Sequence, residues 1–174
     1  KDPVKIMTWL LLAKQYAYSN VLEATYDEAK LDELIPKISA ILHENENTVK
    51  RLEETFAEYG ILFGVVSKVQ GASIDGYSFE YDGHPCIIVT KRYDRIDNLA
   101  FSVMHELGHV KNRDYDDFNV DIDDYDHESP REKGASQFAA NALISDADWK
   151  TVPKVHLSPT TIQRTCSLWA ETRG

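Results

Sequence analysis

The pentapeptide His105-Glu106-Leu107-Gly108-His109 constrains this chain more than any other feature. Two histidines four residues apart meet on one face only where the backbone between them is an α-helix. There they lie about one turn apart and can share a divalent cation such as Zn²⁺. Glu106, one step along, stays on the same side and is placed to take a proton from water at that cation rather than to bind it. The flanking residues agree with a helix. Ser102, His105, Glu106, His109 and Arg113 recur at spacings of three and four as one polar stripe, and Ala100, Val103, Met104, Leu107 and Val110 fall on the opposite side. The spacing predicts a helix from about Asp97 to about Asn112, with a buried back and a front that faces a cleft.

Two histidines are one ligand short of a catalytic zinc site, which takes three protein ligands and keeps one position open. The downstream candidates are His127, Glu128, Glu132 and His156, and no histidine follows His109 at the short H-x-x-G-x-x-H spacing. A glutamate on a second helix, predicted from about Pro130 to Ile144, is the natural alternative. Glu132 opens the run Glu132-Lys133-Gly134-Ala135-Ser136-Gln137-Phe138-Ala139-Ala140. Small Ala135, Ala139 and Ala140 would let that helix approach the first closely, with Phe138 packed between them.

The remainder of the chain reads as α+β. Up to Tyr59 the apolar period is helical: Ile6, Trp9, Leu10 and Ala13 after Pro3, then Leu31 to Leu42 with Pro36 marking a kink or restart. A third helix opens at Asn47 or Thr48, and Gly60 stands where a left-handed stop is expected. The period changes at Ile61. Ile61 to Val66, Tyr77 to Tyr81 and Cys86 to Thr90 read as strands, with Asp82-Gly83 a hairpin turn, which predicts a small antiparallel sheet. A last helix is expected after Pro159. The division expected from these patterns is an N-terminal helical segment, 1–59, and a zincin-like domain, 60–174, built on a two-helix metal site.

The pair H-E-L-G-H followed by E-x-x-A-x-x-F-A-A resembles the ImmA/IrrE family of bacterial metallopeptidase domains. The stretch from Gly60-Ile61 through Gly76-Tyr77-Ser78 and His84 to Ile88 is similar too, most closely to the version fused behind a helix-turn-helix repressor in HigA-type antitoxins. The resemblance spans about Glu54 to Ile144. It implies that His105, His109 and Glu132 hold zinc and that Glu106 is the general base. It also implies a peptide or protein partner, a repressor or toxin, that the domain cleaves or controls. The rival reading is a non-proteolytic antitoxin or regulatory module that keeps the scaffold for sensing or partner binding. Two positions depart from the family pattern: Ser136 stands where Asn is usual, and Ser145 where Pro often closes the second motif.

Between the two predicted ligand helices, Asp114 to Glu128 holds eight carboxylates and no Lys or Arg. An EF-hand would need a glycine at its sharp turn and different spacings, so a solvated loop beside the cleft is the expectation. Within it His127 is a reserve ligand or transition-state donor, and Tyr115 and Tyr125 are reserve oxyanion donors. This loop carries much of the formal net charge of -10. Outside it, 21 acidic residues face 19 basic ones. The local acidity argues against direct nucleic-acid binding at the cleft. Cys86 and Cys166, 80 positions apart, form no C-x-x-C pair and are read as reduced packing residues of a cytoplasmic protein. The most apolar run, Ile6 to Ala13, is too short to span a membrane and has no cleavage site of a signal peptide. Lys1 in place of an initiator Met is the start expected of a segment from a longer protein. The oligomeric state stays open, a homodimer included.

Overall fold

A computed structural model describes residues 2–91, 95–115 and 129–152, together with residues 164, 165 and 168. The chain divides into two compact units, Lys1–Leu143 and Ile144–Gly174.

In the first unit, helix α1 (Pro3–Ser19) starts where the Asp2 side chain accepts a hydrogen bond from the Val4 N–H, with Pro3 in the first turn, where its missing N–H is harmless. It buries Trp9, Ala13 and Ala17, one turn apart. After a 3₁₀ turn at Glu28–Lys30, helix α2 (Leu31–Glu44) runs through Pro36 as one element, where the sequence predicted a kink or restart. A proline inside a helix costs roughly 3 kcal/mol or more. The buried Leu31, Leu34, Ile38, Ile41 and Leu42 lie on both sides of it, and each full burial contributes about 1.5–3 kcal/mol. Burial therefore wins. Helix α3 (Thr48–Glu58) ends at Gly60, whose φ of 70° is left-handed. A Cβ at Gly60 would come within 2.4 Å of the Tyr26 backbone nitrogen, so glycine is required there twice over.

Three strands follow: β1 (Leu62–Ser67), β2 (Gly76–Tyr81) and β3 (His84–Lys91). Asp82 and Gly83 both have positive φ (52° and 78°), as the two-residue turn between β2 and β3 demands. The sheet is mixed, not purely antiparallel as the sequence reading had it. Its order is β1-β3-β2, with β2 antiparallel to β3 but β1 parallel to it. The cause is the connection between β1 and β2. Its Val69, Ala72 and Ile74 join the core beside α1, and Thr90 of β3 ties it down through N–H to the Asp75 carbonyl (2.8 Å) and Oγ1 to the Ile74 carbonyl (2.8 Å). A segment of this length can carry the chain across the place of β3, whereas a tight turn would have paired β1 with β2 directly.

Alternation along the strands sorts residues into two cores. Leu62, Val66, Tyr77, Phe79, Cys86 and Ile88 pack with α1. Phe63, Ile87 and Val89 join α2, α3, α4 (Ile96–Asn112) and α5 (Pro130–Leu143) on the other face. The central strand is therefore apolar on both faces, which is why Cys86 to Val89 reads as an unbroken apolar run. Burial pushes the Cys86 thiol up to about 12, so it is a packing residue. The opposite faces of β2, at Gly76, Ser78 and Glu80, turn by parity toward the α4 side.

In the second unit a short helix, α6 (Asp146–Trp149), is capped by Ser145, whose Oγ accepts from the Asp148 N–H at 3.1 Å. The helix expected after Pro159 lies mostly outside the described residues, as does Cys166. Among the described residues no helix is long and apolar enough to cross a membrane.

The Gly60 corner generates a stability prediction. Gly60→Ala combines a left-handed φ with backbone overlap, and is expected to lose about 2 kcal/mol or more in urea unfolding with an unchanged m-value.

Candidate metal centre

Helix α4 buries Ala100, Val103, Met104, Leu107 and Val110, the back that the sequence pattern assigned. Its polar stripe is less open than expected. Glu106 and His109 are themselves buried, because that side of the helix is covered by α5 and β2. Gly108 explains the closeness of α5. A Cβ on Gly108 would stand 3.0 Å from the Phe138 ring and 3.1 Å from the Ala135 Cα, so the absence of a side chain sets the approach of the two helices. Ala135 and Ala139 are fully buried in this contact, while Ala140, expected there as well, points to solvent.

That approach delivers Glu132. Ser129 opens α5, and its Oγ accepts from the Glu132 N–H at 3.2 Å, with Pro130 at the first helical position. In an ordinary S-x-x-E capping box the glutamate side chain would fold back on its own helix end. Here it turns to α4. Glu132 Oε2 lies 3.1 Å from His105 Nε2, and its Oε1 lies 3.3 Å from His109 Nε2. The two Nε2 atoms are 3.2 Å apart. Ligand atoms from all three residues fall within 4.8 Å of one another.

The outer nitrogens decide what this cluster can hold. His109 Nδ1 lies 2.8 Å from Asp114 Oδ1, which makes it the protonated nitrogen and leaves Nε2 with a lone pair. Arg131 Nε also approaches this nitrogen, at 3.5 Å, but the shorter carboxylate contact governs the tautomer. Asp114 is put in place by the end of α4. Arg113 adopts a left-handed φ of 55°, the Arg113 N–H bonds the Val110 carbonyl and the Asp114 N–H the His109 carbonyl, the two bonds of a Schellman turn. His105 Nδ1 lies 3.3 Å from Ser136 Oγ, one turn beyond Glu132 on α5. Two imidazole lone pairs and a carboxylate thus face one point with no proton required between them. This donor set fits a cation.

The charges respond accordingly. Hydrogen bonds from His105 and His109 hold the Glu132 carboxyl well below the usual carboxylate range. Burial works against protonation of His109, but Glu132, Glu106 and Asp114 outweigh it and raise its pKa above the ordinary 6.5. Burial likewise raises the Glu106 carboxyl, against the pull of His109 and His105.

Of the residues singled out from sequence, the structure brings together His105, His109 and Glu132, with Glu106 adjoining them. Tyr115 packs against the main core, with its hydroxyl engaged by Glu80. His127 and Tyr125 lie outside the described residues, as do Glu128 and His156. Asp114 and Ser136 were missed as supports. Asp114 was counted as one acid in a run of eight, and Ser136 only as a departure from a pattern. The available signal was helical phase: Ser136 follows Glu132 by four, and Asp114 directly follows the helix end.

Residues 63–165, well over half of the chain, match the family model Peptidase M78, the IrrE N-terminal-like domain. The chain belongs to this metallopeptidase-type family. No curated protein and no solved structure matches it.

Because a metal competes with protons for His109, zinc affinity is expected to fall as pH drops, with the loss beginning above 6.5. Competition titration with a chromophoric chelator across that range checks it. In the same assay Asp114→Asn should weaken zinc binding about 10–100-fold at pH 7.5 while the fold is retained.

Proposed function

We propose that this chain is a zinc-dependent peptidase domain that acts on, or controls, a repressor or a toxin–antitoxin partner. The observation that carries the reading is the convergence of His105, His109 and Glu132 on one point, next to a buried glutamate. Two histidines and a glutamate are a catalytic zinc set, with room left for substrate. A zinc ion there supplies Lewis acidity, which acidifies water and polarises a peptide carbonyl.

The chain's own residues supply the remaining chemistry. Glu106 takes a proton from the attacking water and passes it to the leaving amine as the peptide bond breaks. Burial, which raises its carboxyl, makes Glu106 a better proton acceptor than a solvated glutamate. Asp114 keeps the proton of His109 on Nδ1, and Ser136 supports His105 from behind, so both rings stay oriented without help from substrate. The proposed partner rests on the resemblance of residues 54–144 to domains fused behind repressors. The formal charge of -10 fits recognition through protein contacts rather than through nucleic acid by this domain.

Glu106→Gln should keep zinc and lower hydrolysis of the cognate repressor or toxin by about 10²–10⁴-fold. Mass spectrometry of fragments after incubation of the zinc-loaded chain with that partner reads the outcome. An intact partner with zinc bound would overturn proteolysis in favour of a binding or sensing module.

A further inference from the structure

Glu106 reaches the site from α4, but its carboxylate rests on β2. A Cβ built on Gly76 would lie 2.5 Å from Glu106 Oε1, 2.8 Å from its Cγ and 3.0 Å from its Cδ. The three nearest atoms are all from that one side chain. Gly76 lies on the edge strand, opposite Val89 of β3, and its φ is not left-handed. Glycine is therefore required here by the carboxylate and not by the backbone. Ser78 is two residues along the same strand and so on the same face. It is 1% exposed, and its Oγ has no hydrogen bond of full geometry. A buried hydroxyl without a partner is unfavourable and is conspicuous in a native core. The Glu106 carboxylate, which lies against Gly76 on the same strand face, is a group within its reach.

We infer that Gly76 and Ser78 are positioning residues for Glu106: Gly76 leaves the space that its side chain occupies against β2, and Ser78 presents that carboxylate with a hydroxyl. The inference rests on the peptidase reading for its catalytic consequence, but not for the contact itself. Glu106 emerges from a helix with three rotatable side-chain bonds. A glutamate with that freedom is a poor proton shuttle unless something limits its conformers, because misplacement by about 1 Å can cost about 10²-fold in rate. The β2 strand supplies the limit. It is held by β3 on one side and packs its other face, Tyr77 and Phe79, against the α1 core, so the seat is as rigid as the sheet.

The contact is tested first without catalysis. In the metal-free chain, Gly76→Ala should lower the thermal midpoint, and should lower it little or not at all in a Glu106→Ala background, where no carboxylate meets the new methyl group. Equal losses in both backgrounds would overturn the seat. If Gly76→Ala alone does not fold, recovery of a soluble chain by adding Glu106→Ala supports the seat, and failure to recover overturns it. With zinc loaded, Gly76→Ala should leave zinc affinity and KM within about threefold and lower kcat about 10–100-fold. Ser78→Ala should lower kcat about 3–10-fold, and Ser78→Thr, which keeps the hydroxyl, should restore most of it. A kcat unchanged in both alanine variants would overturn the positioning role. Non-additive midpoints together with an intact partner after incubation with the zinc-loaded wild-type chain would leave the seat standing and remove the peptidase reading.

Discussion

Helices α4 and α5 meet with the bare backbone of Gly108 set against Ala135 and the Phe138 ring, and the candidate metal centre depends on that contact. Gly108 faces Ala135 at a distance that one added methyl would fill. Two helices separated by ordinary side chains sit about 8–10 Å apart, and Glu132 would then fall short of one or both imidazoles. With the gap closed, one carboxylate spans both Nε2 atoms. The glycine at the fourth place of the His105–His109 pentapeptide is therefore a statement about the neighbouring helix. It says nothing directly about the metal.

That closeness creates an electrostatic demand. Glu106 and Glu132 bring two carboxylates toward the same imidazoles, and Asp114 approaches from behind. Buried carboxylates repel one another and lose hydration, so such a group is stable only with positive charge among them. In the metal-free chain His109 can supply it by taking a proton, which is what its raised pKa expresses. A divalent cation at the same point would supply more charge and would replace the proton that His109 takes. The fit of the cluster to a cation and the raised pKa of His109 thus have one origin.

The parts legible in the sequence were those governed by short-range periodicity. Helices α1 to α4 were visible from apolar spacing and α5 from Pro130 and the run that Glu132 opens, the 3₁₀ turn at Glu28–Lys30 was not, and the three strands were visible from composition and alternation. The pairing of β1 with β3 was not, because strand order depends on where an eight-residue connection crosses the sheet, and no local pattern in Ser67 to Gly76 records it. Pro36 misled for a related reason: its penalty is local, but the burial that outweighs it comes from residues on either side and from other helices. At the site, the ligands could be found by spacing within a helix and by resemblance between helices. Gly76 and Ser78 could not. Each acts across a tertiary contact, and neither has an unusual neighbourhood along the chain.

The segment between the two ligand helices is anchored at each end by hydrogen bonds that belong to the helices themselves. The Schellman turn at Arg113 and Asp114 closes α4, and the Ser129 cap opens α5. Both ligand positions are thereby referenced to helix ends and not to the chain that joins them. Doubling the length of such a joining segment costs only about 0.6 kcal/mol in closure entropy. Insertions, deletions or changes of charge between these two anchors can accumulate over evolutionary time, or be introduced by design, with the geometry of His105, His109 and Glu132 held constant. The acidic run beyond Asp114 is in this sense replaceable, whereas Asp114 itself is tied to His109.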